Sequence, residues 1–146
     1  MKLKGRGSHG ILEGVRVLDL TQYLAGPHCT LLLSGMGAEV IRVDNPTTGD
    51  TLSGAPVFYG KDGPTIQKRD DSDLGIAFLK RLRGKKSITL DLKTDEGHDL
   101  FLRLVKKSDV VVENFSVGTT QRLGIDWPSL HKFKQELIYC SITGYG

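Results

Sequence analysis

Five short runs of β-branched and other apolar residues, at 15–20 (VRVLDL), 39–44 (EVIRVD), 87–92 (SITLDL), 109–115 (DVVVENF) and 137–143 (LIYCSIT), restrict the fold more than any other feature of this chain. The segments between them carry turn residues and helical spacing instead of alternation. Strands buried on both faces read as continuous apolar runs, and strands that alternate with helices pair in parallel. The expected fold is α/β, a Rossmann-like parallel sheet with flanking helices, with ligands held beyond the carboxyl ends of the strands.

The helices are predicted from their ends. Gly26 and Pro27 open one, and the HCTLLLSGMGA that follows is almost wholly apolar or small, which predicts a buried helix stopped by Gly35 and Gly37. Thr94 is an N-cap, Asp95 and Glu96 put negative charge in the first turn, and Leu100, Phe101, Leu104 and Val105 form one stripe. A short turn or helix runs through Gly124, and Pro128 opens a small helix to about Gln135. Residues 45–79 read as a long Gly/Pro/Asp-rich loop, either functional or a wrapping arm. Residues 1–11 read as a disordered or presequence-like start, and 12–146 as one domain.

Charge and cysteine usage remove several function classes. A net charge of +3 suits an anionic ligand but is too small for non-specific binding of nucleic acid. Cys29 and Cys140 lie in apolar runs, and His9, His28, His98 and His131 are scattered, so neither a disulfide nor a metal site is expected. No apolar run is long enough to span a bilayer. The expected location is cytoplasmic, or the mitochondrial matrix given the basic, acid-free start.

Three segments carry candidate chemistry. KRLRGKK at 80–86 places Lys80, Arg81, Arg83, Lys85 and Lys86 together, either as a solvated basic loop or as a phosphate-binding cluster. Glu113-Asn114-Phe115 leads into SVGTTQRLG, which offers a ring for a base and Arg122 for a phosphate; the alternative is a core Phe115 and a surface Arg122. In YLAGP at 23–27, Gly26 lets a ligand approach the backbone at a helix start that favours negative charge. No G-x-G-x-x-G is present, so Asp44 is weak support for a ribose contact, and Asp19 and Asp44 read as structural carboxylates.

LEGVRVLDLTQYLAGP, GAEVIRVDNPTTGD, GKKSITLDLKTDEG, SDVVVENFSVGTTQRLG and LIYCSITGYG together resemble the family III CoA-transferases, in order and spacing from Leu12 onward. The resemblance implies the amino-terminal portion of that fold and a site for coenzyme A. It puts CoA contacts at Tyr23, Leu24 and Ala25, at Leu82 and Lys85, at Asn114 and Phe115, and at Arg122 and Leu123. The implied substrates are an acyl-CoA and a carboxylic acid, the implied assembly is an interlocked homodimer, and no nucleic acid, membrane or metal is involved. An aspartate nucleophile, through which the family passes CoA by way of an anhydride and an aspartyl thioester, is expected beyond Gly146, so 12–146 reads as a truncated CoA-binding domain without a catalytic residue of its own. Three departures stand out: Asn45 where the family is often basic, Thr143 where lysine sometimes stands, and no basic residue after the GD pair of GDTLSG. An acyl-CoA racemase or epimerase of the same fold and a non-catalytic CoA-binding module are the rival readings.

Overall fold

A computed structural model describes residues 10–145. Most of the expected amino-terminal tail therefore lies outside the described residues, although the Gly10 carbonyl accepts a hydrogen bond from the Glu13 N–H and Leu12 bonds to Met36.

The five apolar runs all form strands: β1 (Arg16–Asp19), β2 (Glu39–Asp44), β6 (Lys86–Thr89), β7 (Val110–Glu113) and β8 (Ile138–Ser141). They pair in parallel in the order β6-β2-β1-β7-β8. The chain starts at the centre, builds outward to β6, and returns to the other side of β1 with β7. The order reverses between β1 and β7, and an open α/β sheet leaves a crevice at such a point.

Alternation along the strands sorts the two faces. Val17, Val40 and Val112 point to the side packed by α1 (Ala25–Gly35). Leu18, Val43 and Val111 point to the side packed by α3 (Asp95–Lys106) and α5 (Trp127–Phe133), whose Phe101, Val105 and Leu130 are fully buried. The cap of α3 forms as its sequence requires, with Thr94 Oγ1 accepting the Gly97 N–H at 3.0 Å. Between β7 and α5 the chain makes one further turn of helix, α4 (Thr119–Arg122).

Two expectations are corrected. α1 is not a buried helix: it buries only Gly26, Pro27 and Thr30, and Leu32 is 54% exposed. Its apolar circumference faces the sheet on one side only. Nor is 45–79 a loop. After a 3₁₀ turn (Thr51–Gly54), β3 (Phe58–Gly60), β4 (Gly63–Thr65) and β5 (Leu74–Gly75) make a small antiparallel sheet, and α2 (Ile76–Leu82) follows at once. Strands of two and three residues that contain Gly and Pro carry too little period to be read. A buried ion pair anchors this excursion. The Arg42 guanidinium, 2% exposed, donates to Asp44 Oδ1 at 2.8 Å and to Asp50, and it lies 5.9 Å from the Phe78 ring. Asp50 then accepts the Leu52 N–H and starts the 3₁₀ turn.

The core makes a direct prediction. Phe101→Ala removes a side chain that is 0% exposed and is expected to cost about 3–5 kcal/mol, whereas Leu100→Ala, at 38% exposure one residue earlier, costs well under half of that. Urea unfolding of both variants checks it.

Candidate functional site

The crevice at the switch point is real. Leu20 and Gln22 after β1, Asp44 and Asn45 after β2, Leu90 and Lys93 after β6, and Phe115, Thr119 and Leu123 after β7 enclose a cavity of about 220 Å³. Its lining is mixed: leucines and the Phe115 ring give apolar wall, and Lys93, the cation among its lining residues, is accompanied by the carboxylates Asp44 and Asp91. Asp44 contributes little net negative charge there, because its carboxylate receives both the Arg42 guanidinium and the Ser87 hydroxyl. Asn45 Oδ1 is occupied by the Thr47 and Thr48 N–H groups, an Asx turn that holds the loop.

The loops on either side of the switch point are joined by one amide. Asn114 Oδ1 accepts the Gln22 N–H at 2.8 Å, and its Nδ2 donates to the Gln22 carbonyl at 2.8 Å. This two-point pairing leaves the carboxamide committed and sets the position of the residues that follow. Tyr23, next in line, has φ of 63°, a left-handed conformation that costs a non-glycine residue roughly 1–3 kcal/mol, and its ring is 57% exposed. Gly26 serves a different purpose from the one its sequence suggested. A Cβ there would come within 2.3 Å of the Thr21 side chain, so the glycine makes room for a neighbour inside the fold.

Beneath this loop sits a buried ionic hub. Asp19, 0% exposed, accepts the Thr21 N–H at 3.0 Å, the Thr21 hydroxyl, the Thr30 hydroxyl at 2.6 Å and the Lys85 ammonium at 2.8 Å. Lys85 Nζ also donates to the Pro27 carbonyl and to Thr30 Oγ1, so its three N–H bonds are all made inside the protein. Burial pulls the Lys85 ammonium below the usual lysine range, with Asp19 opposing the shift.

The structure thus disperses the nine sequence-selected residues. Phe115 and Leu123 line the crevice. Leu24 lines a separate cleft between α1 and α2, together with Lys80, Arg81 and Arg83 of the basic run. Lys85 and Asn114 face inward and hold the loop, and Leu82 ends α2 with its carbonyl bonded to the Lys85 N–H. Tyr23 and Ala25 are exposed, and Arg122 folds back onto Gly118 O and Thr119 Oγ1. Leu90 and Lys93 were missed. The available signal was their place just past the third strand run, since ligands gather where strands end, whereas Lys85 precedes that run.

Fold and crevice define an open, parallel α/β domain with a crevice at its topological switch point. The chain belongs to CoA-transferase family III, whose pattern matches residues 12–146. It is 44% identical over 137 residues to the succinyl-CoA:mesaconate CoA-transferase of Haloarcula hispanica, covering 94% of this chain and 33% of that protein. It is 39% identical to the formyl-CoA:oxalate CoA-transferase of Afipia carboxidovorans, covering 92% of this chain and 29% of that protein. A solved CaiB/BaiF family protein from Brucella suis superposes with a TM-score of 0.81 at 39% identity, over 94% of this chain and 34% of that one. The chain spans about one third of the length of the curated relatives it matches. Among the described residues no group of three His, Cys, Asp or Glu is placed to hold a metal, and no helix is long and apolar enough to cross a membrane.

Removing the Lys85 charge strands a buried carboxylate. Lys85→Met is expected to destabilise the domain by about 3–5 kcal/mol, and Asp19→Asn with Lys85→Met to recover part of that loss. A double-mutant cycle in urea checks the pair; independent, additive effects would remove the hub from the account.

Proposed function

We propose that this chain is the CoA-recognising part of a CoA-transferase that moves coenzyme A between carboxylic acids. The observation that carries the reading is the switch-point crevice, where Phe115 supplies a face for adenine, Leu20, Leu90 and Leu123 supply apolar walls, and Lys93 supplies positive charge for a phosphate. Relatives that are named for succinyl-CoA and formyl-CoA support CoA thioesters as the substrate class. Of the implied contacts, Phe115 and Leu123 meet the nucleotide directly, Tyr23, Leu24 and Ala25 flank its path, and Arg122 sits one residue before the crevice wall.

Lys85 and Asn114 act as positioning residues in this reading, because their polar atoms are spent on the loop. The buried carboxylates are likewise engaged: Asp19 by Lys85 and two threonines, Asp50 by Arg42, Asp73 by the Arg69 and Asp70 N–H groups, and Glu113 by the Phe115 N–H. In this reading an aspartate attacks the acyl-CoA carbonyl and releases the CoA thiolate, and the thiolate then attacks the aspartyl carbonyl of the resulting anhydride, releasing the donor carboxylate and leaving an aspartyl thioester; that role is assigned to none of these carboxylates. Free Cys29 and Cys140 support a cytoplasmic setting.

Titration calorimetry at two salt concentrations is the test. CoA is expected to bind more tightly than dephospho-CoA and to weaken as salt rises. Phe115→Ala is expected to cost about 1–3 kcal/mol of binding, and Lys93→Gln about 1.5–3 kcal/mol with a flatter salt dependence. Equal affinity for CoA in wild type and both variants would sink the assignment. An assay of labelled CoA between succinate and another acyl-CoA is expected to give no turnover with the 146-residue chain; turnover abolished by Asp19→Asn would return the chemistry to this domain.

A further inference from the structure

The strands β7 and β8 border a second concavity, separate from the switch point. It lies between the edge strand and the chain that passes from α4 to α5, and has a volume of about 510 Å³. The two strands contribute Glu113, Ile138 and Tyr139 to its lining, and the entry to α5 contributes Asp126, Trp127 and Pro128. The Trp127 ring is held by His131, at 4.2 Å between centroids, and by Tyr139 at 6.3 Å, and it remains 41% exposed.

The lining is acidic, and no Lys, Arg or His borders the groove. Among the described residues neither Glu113 nor Asp126 is paired with a cation. Glu113 is the informative residue. It is 3% exposed, and its Oε2 accepts the Phe115 N–H at 2.8 Å. Its Oε1 receives no hydrogen bond among the described residues, yet that oxygen is not sealed from solvent. A nearly buried carboxylate with one open, unfilled oxygen is an unmet demand for a charged donor. Asp126 Oδ1 accepts the Ser129 hydroxyl, and its charge adds to that of Glu113. Burial pushes the Tyr139 hydroxyl well above the usual tyrosine range, and the Glu113 and Asp126 charges add to the shift, so both carboxylates bear on this ring. Two carboxylates beside aromatic rings suit an organic cation better than a metal, since among the described residues no three His, Cys, Asp or Glu are grouped to hold one.

We infer that the groove between β8 and α5 binds a primary ammonium carried on a hydrocarbon stem, its N–H groups against Glu113 Oε1 and Asp126 and its stem along Trp127, Tyr139 and Ile138. An ammonium supplies the charge-assisted donor that the open oxygen lacks, and the aromatic rings attract the cation and cover the methylenes next to it. A free alkylamine and a lysine side chain both carry this group. The inference stands apart from the CoA reading: no residue of the groove lines the nucleotide crevice, and none is among the nine CoA contacts implied by the family.

Trp127 is the only tryptophan of the chain, so its fluorescence reads this groove. The experiment titrates the whole 146-residue chain with hexylamine, hexanol, ammonium chloride and Nα-acetyl-lysine methylamide, with calorimetry in parallel and with CoA absent or present. Hexylamine is expected to bind and to change the Trp127 emission, with hexanol and ammonium each at least about tenfold weaker, as for loss of a charge-assisted bond or of the apolar contact. Glu113→Gln keeps an acceptor for the Phe115 N–H but loses the charge, and is expected to lower hexylamine affinity by about tenfold or more. Trp127→Ala, followed by calorimetry alone, is expected to lower it by about threefold or more and to leave CoA affinity unchanged. Melting temperatures close to wild type show the variants folded, and Asp126→Asn is a milder second variant. Binding of the lysine derivative at least as tight as that of hexylamine assigns the ammonium to a peptide lysine, weaker binding assigns it to a free amine, and both support the inference. Hexanol or ammonium binding as well as hexylamine, equal hexylamine affinity in wild type and Glu113→Gln, or CoA displacing hexylamine would each overturn it. Loss of CoA binding alone, with hexylamine retained, would sink the CoA reading and leave this one standing.

Discussion

A buried carboxylate at the end of the central strand organises this domain. Asp19 is on β1, where the sheet changes direction, and it is fully removed from water. Such a charge persists only when its hydrogen-bonding capacity is filled. Four donors from three separate parts of the chain fill it: Thr21 from the following loop, Thr30 from α1, and Lys85 from just before β6. Residues 21, 30 and 85 are thereby fixed to one point. The helix that covers one face of the sheet, the loop that follows β1 and the entry to the outer strand all take their positions from it. Gly84 shows how tightly Lys85 is threaded inward: its φ is 76° and a Cβ there would lie 2.6 Å from Ser34 Oγ of α1.

This arrangement separates two kinds of polar residue that a sequence presents alike. Basic residues 80, 81, 83, 85 and 86 are neighbours in the chain, yet they meet three different environments. Lys85 turns into the core, Lys86 pairs with Glu39 on the adjoining strand, and the other three stand over the cleft between α1 and α2. The change from helix end to strand start within seven residues points successive side chains in unrelated directions.

The parallel sheet was legible because its central strands β1, β2 and β7 are largely buried, so runs such as VVVE and EVIRVD carry a composition that little else in a small domain produces. The capped α3 was legible for the same reason, its Thr94, Asp95 and apolar stripe agreeing with one another. The small sheet β3–β5 was not, since its stability comes from Arg42, Asp50 and Phe58, residues that declare nothing locally. At the crevice, Phe115 was singled out from its place at a strand's carboxyl end and Leu123 from the family resemblance, and both line it. Asn114 and Lys85 were also singled out, but the direction of a polar side chain is decided by which partner lies within reach after folding. Leu90 and Lys93 escaped because a leucine and a lysine in an LDLK string have no motif of their own.

The pairing of Asn114 with the Gln22 main chain has a kinetic meaning. Loops at the ends of β1 and β7 are separated by 92 residues, and two hydrogen bonds of 2.8 Å make them one body. On the proposed CoA reading, a ligand entering between them would meet walls whose relative placement is already set, so the entropy of ordering two independent loops is lost at folding and not again at each encounter. Association with such a crevice is governed by diffusion and charge, and the lifetime of the complex by the contacts within it.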